Sequence, residues 1–181
     1  TVFLSEITVL PTFHGVDQPL GELIEFQRPG VRITGVRKAG VISRSDLDEH
    51  VVQKGAVVIV QATTSELLTL AEVKGLRVGL RRSVELEPGA DVQIVEAILA
   101  PSRWHTGQRI ADLALGRRAG VRVLGAFRHG HIPGSDLSSV RLRPSDKLLL
   151  EGSAEGFAEL ARSGDAVSII VAIRSKPTIV R

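Results

Sequence analysis

Gly120-Val-Arg-Val-Leu-Gly-Ala-Phe-Arg-His-Gly-His-Ile-Pro-Gly-Ser-Asp-Leu137 repeats a pattern already present as Gly30-Val-Arg-Ile-Thr-Gly-Val-Arg-Lys-Ala-Gly-Val-Ile-Ser-Arg-Ser-Asp-Leu47. Residues 6–71 lie on residues 96–161 at a constant offset of 90 without a gap. The overlay brings Glu6, Pro11, Leu23, Arg28, Gly30, Val31, Arg32, Gly35, Gly40, Ile42, Ser45, Asp46, Leu47, Leu70 and Ala71 onto identical residues. Self-similarity at a fixed period decides what counts as a domain. Here it predicts one fold written twice.

Outward from that stretch, the expected division is a first domain over 1–80, a linker over 81–91, a second domain over 92–174 and a tail over 175–181. The linker reading rests on Arg81-Arg-Ser-Val-Glu-Leu-Glu-Pro-Gly-Ala-Asp91, which is charged and closes with Pro-Gly. Each domain is small for an independent core. Aromatic residues make up only 3% of the chain against 43% hydrophobic, so burial must come from Val, Leu, Ile and Ala.

Glu6-Ile-Thr-Val-Leu-Pro11 alternates and ends on proline, the mark of a strand. Asp17, Gln18 and Pro19 read as a helix start, and Leu20, Leu23 and Ile24 as its apolar stripe. Thr106 or Gly107 would begin the counterpart, with Ile110, Leu113 and Ala114 as the stripe. Val31–Val36 reads as a strand, and the turn signals Gly40 and Ser45-Asp46 follow. Ala56–Val60 and Lys147–Glu151 are nearly continuous in apolar residues, which predicts buried central strands. Thr63-Thr-Ser-Glu66 has capping-box spacing before the helix Leu67–Glu72, and Ser153-Ala-Glu opens Phe157–Ala161 in the same place. Val92–Ala97 is the expected first strand of the second domain. Gly75–Leu80 and Val167–Ile173 suit extra edge or exchanged strands. The expected fold class is α+β: two tandem β-α-β-β-β-α units packed as a pseudo-dimer, with the strand around Ile42 or Ile132 the weakest element.

In the second domain Glu96–Ser102, Gly107–Leu113, Gly120–Arg128, Ile132-Pro133 and Ser145–Gly152 resemble the TrkA-C domain, also called the RCK C-terminal domain. The first domain resembles it through Glu6, Pro11, Leu20 to Leu23, Gly30 to Arg37, Ile42, Asp46 and Gly55 to Val60. The family's Gly-Asp before the last strand is kept only as Gly55 in one copy and Asp146 in the other. The resemblance implies a non-enzymatic regulatory module of a membrane ion or solute transporter, sensing a ligand or dimerising. Such domains serve potassium uptake systems and, as tandem pairs, the cytosolic loops of anion permeases of the divalent-anion:sodium symporter type. The alternative is a purely structural dimerisation module without a small-molecule ligand. The expected partners are a transmembrane transporter domain of the same or another chain and a second copy, as a homodimer or internal pseudo-dimer.

Chemistry in the residues themselves is sparse. No cysteine is available, and no serine sits in a G-x-S-x-G elbow. No G-x-G-x-x-G follows a strand, so no nucleotide cofactor is predicted. His129 and His131 put two imidazoles on one side of an extended segment, too few for a metal site, and no metal is predicted. The net charge of +3 comes from scattered basic residues with few aromatics, which argues against nucleic acid. The longest apolar run, Ala166–Ile173, falls far short of the roughly 20 residues a bilayer needs. The chain begins at Thr1 and lacks methionine, so a soluble fragment of a longer protein is expected, on the cytoplasmic side of the inner membrane.

The better functional candidate is the loop after the middle strand. In the first copy it offers Arg37, Lys38, Ile42 and Arg44; in the second, Arg128, His129, His131, Ile132 and Pro133. By resemblance this segment adjoins a dimer cleft able to hold a small anionic effector such as a nucleotide, and arginine suits phosphate through bidentate bonds. On this reading Arg128 serves the ligand and its removal spares folding.

Overall fold

Continuous apolar runs hydrogen-bonded on both edges form the centre of each sheet. The computed structural model describes residues 1–81, 91–99, 107–112, 120–162 and 167–177, and the chain divides into two compact units, Thr1–Gly79 and Leu80–Arg181. The fold is α+β.

The first unit holds β1 (Val2–Val9), β2 (Val31–Lys38), β3 (Val41–Ser43), β4 (Val57–Thr63), α1 (Thr64–Ala71) and β5 (Leu76–Val78). The strands lie in the order β3-β2-β4-β1-β5, and each neighbouring pair is antiparallel. Central β4 buries Val57, Val58, Ile59 and Val60, as a strand covered on both faces should. Thr63 caps α1 by accepting a hydrogen bond from the Glu66 amide at 3.4 Å. Only this half of the capping box forms, because the Glu66 carboxylate turns instead to Arg28, 2.5 Å away. Leu67 and Leu70 carry the buried stripe of α1.

The segment after β1 departs from the α-helical expectation. It is two 3-10 turns, Leu20–Glu22 and Ile24–Phe26. Leu20, Leu23 and Phe26 are buried while Ile24 is 78% exposed. A spacing of three suits a 3-10 repeat, which stacks i on i+3, whereas an α stripe would have taken Ile24.

The second unit holds β6 (Asp91–Leu99), β7 (Arg122–Phe127), β8 (Lys147–Ser153), α2 (Ala154–Arg162) and β9 (Val167–Pro177). Its strand order is β7-β8-β6-β9, antiparallel at each step between neighbours within the unit. Central β8 buries Leu148, Leu149 and Leu150, and α2 adds Phe157 and Leu160 to the core. The Ser153 hydroxyl caps α2 by accepting from the Gly156 amide at 3.0 Å. Ile110–Asp112 forms a 3-10 turn. The expected strand at Ile132 is reduced to a single bridge between Arg128 and His131. Most of the predicted linker, and Thr106, Leu113 and Ala114, lie outside the described residues.

The registers of the two sheets carry the same numbers ninety residues apart. Val2 faces Thr63 and Thr8 faces Val57; Val92 faces Ser153 and Ile98 faces Lys147. The β2–β4 ladder shifts between Ile33 and Gly35, and the β7–β8 ladder between Val123 and Gly125. Pro19 bridges Val51, and Arg109 bridges Arg141.

Candidate functional site

The predicted loop begins in the first unit as the β2–β3 hairpin, where Arg37 faces Ile42 and Lys38 faces Val41. Ala39 and Gly40 turn the chain with φ of 51° and 80°. Two successive left-handed residues match the twist of a tight hairpin. Arg37 points away from the loop and across the sheet: its Nη1 and Nη2 donate to Glu6 Oε1 and Oε2 at 2.8 and 3.2 Å. Glu6 has a side chain only 4% exposed, so Arg37 compensates a charge held in the sheet. Lys38 Nζ donates to the Lys54 carbonyl oxygen at 2.8 Å. Ile42 is half-buried and Arg44 exposed. Arg44 lines an open cleft of about 420 Å³ with Asp46, Leu47, Asp48 and Glu49, a lining richer in acid than base.

In the second unit Arg128 follows β7 directly, where Lys38 ends β2, but its guanidinium is enclosed. Nε and Nη2 donate to Asp146 Oδ1 and Oδ2, both at 2.8 Å. Nη2 also donates to the Arg141 carbonyl oxygen at 2.7 Å, and Nη1 reaches the Pro133 carbonyl oxygen at 3.5 Å. The side chains of Arg128 and Asp146 are 12% and 2% exposed. Hydrogen bonding to Asp146 raises the Arg128 pKa above its ordinary value; burial opposes the rise and the carboxylate's charge adds to it. Asp146 Oδ2 further accepts from the Arg143 amide at 2.8 Å. The pair therefore ties the strand end, the Pro133 segment and the Arg141–Asp146 loop together. Removing Arg128 would strand a buried carboxylate, so the expectation that its loss spares folding does not hold.

His129 packs edge-on to Phe127 with ring centroids 5.3 Å apart, and His131 is exposed. Ile132 is 65% exposed, close to the 68% of Val41 in the other hairpin. Among the described residues no three His, Asp or Glu side chains gather to hold a metal ion.

Two further ion pairs show how the units differ on one frame. Glu96 occupies in β6 the register position of Glu6 in β1, but its cation is Lys147, 3.8 Å away on β8. Lys147 also lies over the Phe127 ring at 5.8 Å from the centroid. Arg122 Nε binds Glu151 Oε1 at 2.8 Å, both side chains largely buried.

The second unit places its helix after the central strand and ties the loop after β7 to Asp146. Residues 94–163 are a TrkA-C domain. The TrkA-C domain lies within the second unit and includes Arg128, His129, His131, Ile132 and Pro133. No curated protein and no solved structure matches the chain. Among the described residues no helix is long and apolar enough to cross a membrane.

Sequence reasoning placed the loop and noted Asp146 in the family's Gly-Asp pattern, but it missed that Asp146 pairs with Arg128 and that Lys54 receives Lys38. Asp146 stands 18 residues from Arg128. Its signals were the Gly-Asp position and its place before an apolar run, where acids also serve as turn residues, and neither names a partner.

Proposed function

We propose that the chain is a non-enzymatic regulatory module of a membrane ion or solute transporter, linked to potassium uptake or anion transport. The observation that carries this reading is the TrkA-C domain at residues 94–163, since domains of that family regulate transport systems for potassium. Two TrkA-C-like copies in one chain are supported by the strand registers repeated at an offset of 90. On this proposal the copies act as an internal pseudo-dimer on the cytoplasmic side of the inner membrane, joined to a transmembrane domain of the same or a partner chain.

A small anionic effector such as a nucleotide would act by binding one arrangement of the copies better than another, because only differential affinity shifts such an equilibrium. Its candidate contacts are Arg37, Lys38, Ile42 and Arg44 with Arg128, His129, His131, Ile132 and Pro133. The second reading is a purely structural dimerisation module. The enclosure of the Arg128 guanidinium favours it, since that donor set is already occupied.

A thermal-shift screen against a nucleotide panel, run beside static light scattering, tests the pair. A saturable rise in melting temperature supports ligand sensing, and a ligand-independent dimer supports the structural reading. A monomer whose melting no nucleotide moves would refute both.

A further inference from the structure

We infer that the anion-binding position of this chain is the Lys38–Lys54 corner of the first unit, and that its ligand carries a phosphate-type multiple negative charge. The inference rests on the ligand-sensing reading above and narrows it to one of the two repeated loops.

Lys38 and Arg128 stand at equivalent positions, each the cation that follows or ends the second strand of its sheet. Their surroundings differ by one carboxylate. Asp146 faces Arg128 in the second unit, and the residue in its place in the first is Ala56, 1% exposed. An anion arriving at Arg128 would have to displace a buried carboxylate and leave it uncompensated, which the low-dielectric surroundings penalise.

At Lys38 nothing has to be displaced. One N–H of its ammonium goes to the Lys54 carbonyl oxygen at 2.8 Å, leaving two of the three donors of a lysine for a ligand. The same contact draws the Lys38 charge to the residue that carries the second exposed cation, Lys54. Neither lysine has an acidic partner within ion-pair distance among the described residues. A multiply charged anion at this turn can meet both lysines, which a singly charged one cannot. Access is open as well: at Gly40 and Gly55, which flank the two lysines, no atom lies within 4 Å of where a Cβ would project.

The test is a titration of the ¹⁵N-labelled chain with inorganic pyrophosphate at low ionic strength. Amide shifts are expected at 38–40 and 53–55, fading as salt is added. Lys38→Gln should weaken binding about tenfold, the worth of one charge-assisted bond, while Lys74→Gln, at another exposed lysine of the same unit, leaves it unchanged. Ala56→Asp should weaken it similarly by copying the second unit's arrangement; the exposed Lys38→Gln stands alone should the buried substitution unfold the chain. Shifts confined to 128–133, or pyrophosphate binding that Lys38→Gln does not weaken, would overturn the inference while leaving ligand sensing intact. If pyrophosphate moves no amide while a nucleotide still raises the melting temperature, the corner is refuted and the wider reading survives. Silence in both assays refutes both. Co-sedimentation with phosphatidylglycerol against phosphatidylcholine vesicles separates the sources of the phosphate. Capture by the former through Lys38 assigns a lipid headgroup, and pyrophosphate binding without capture assigns a soluble ligand; either keeps the site.

Discussion

Arg128 bears directly on whether the second unit folds. Replacing it with alanine leaves Asp146, 2% exposed, without its countercharge, and breaking a buried pair in this way costs about 3–5 kcal/mol. Urea unfolding of Arg128→Ala should show a loss of that order in the second unit; an unchanged midpoint would mean the pair is solvated. The raised pKa of Arg128 contributes stability that is fully present below the unfolded value and lost only as pH climbs through the folded one. The arginine therefore makes no switch near neutrality. A subtler test lies at Glu96. Its cation sits on β8 as Lys147, while Glu6 takes its cation from β2 as Arg37. Lys147→Val should cost about 0.2–1 kcal/mol, the usual worth of a partly exposed pair. Adding Phe127→Arg should recover it by copying the first unit, and a double-mutant cycle without coupling would show that the relocated cation does not compensate.

At the scale of elements, packing around the 3-10 segment places a strict demand on the chain. Gly75 has φ of 85°, and a Cβ there would lie 2.3 Å from the Phe13 amide nitrogen. The obstruction is backbone, so it cannot swing aside. Gly75→Ala should cost at least about 1–3 kcal/mol through left-handed strain alone, read as a lowered denaturation midpoint. The strands were legible because a run such as Val57–Val60 can be buried only where both faces are covered. Leu20, Leu23, Ile24 and Phe26 were ambiguous because the spacings of an α and a 3-10 helix share their first step. Phe26 resolves the choice, since it extends the spacing of three through a third buried residue. The loop was legible from its glycines and charges. Its division of labour was not, because whether a cation faces Asp146 or Ala56 depends on contacts between distant strands.

For the molecule as a whole, the first unit is compact and packs a core of its own within Thr1–Gly79. Residues 1–79 expressed alone are expected to unfold cooperatively in urea, with the strongest amide-exchange protection in β4. On the pseudo-dimer proposal they should also self-associate in sedimentation equilibrium. A chain without a cooperative transition would show that the unit depends on the rest of the protein. The matched registers also create a hazard during synthesis, since β1 could dock on β8, or β6 on β4, without changing a single hydrogen-bond partner position. Charge does not prevent that exchange, because Glu6 would meet Lys147 and Glu96 would meet Arg37. Exchange of β2 with β7 is different: one hybrid sheet would carry an acid and no base, the other an acid between two bases. The displaced lysine would therefore count against the wrong hairpin joining either sheet, while the charges leave the first strands undiscriminated.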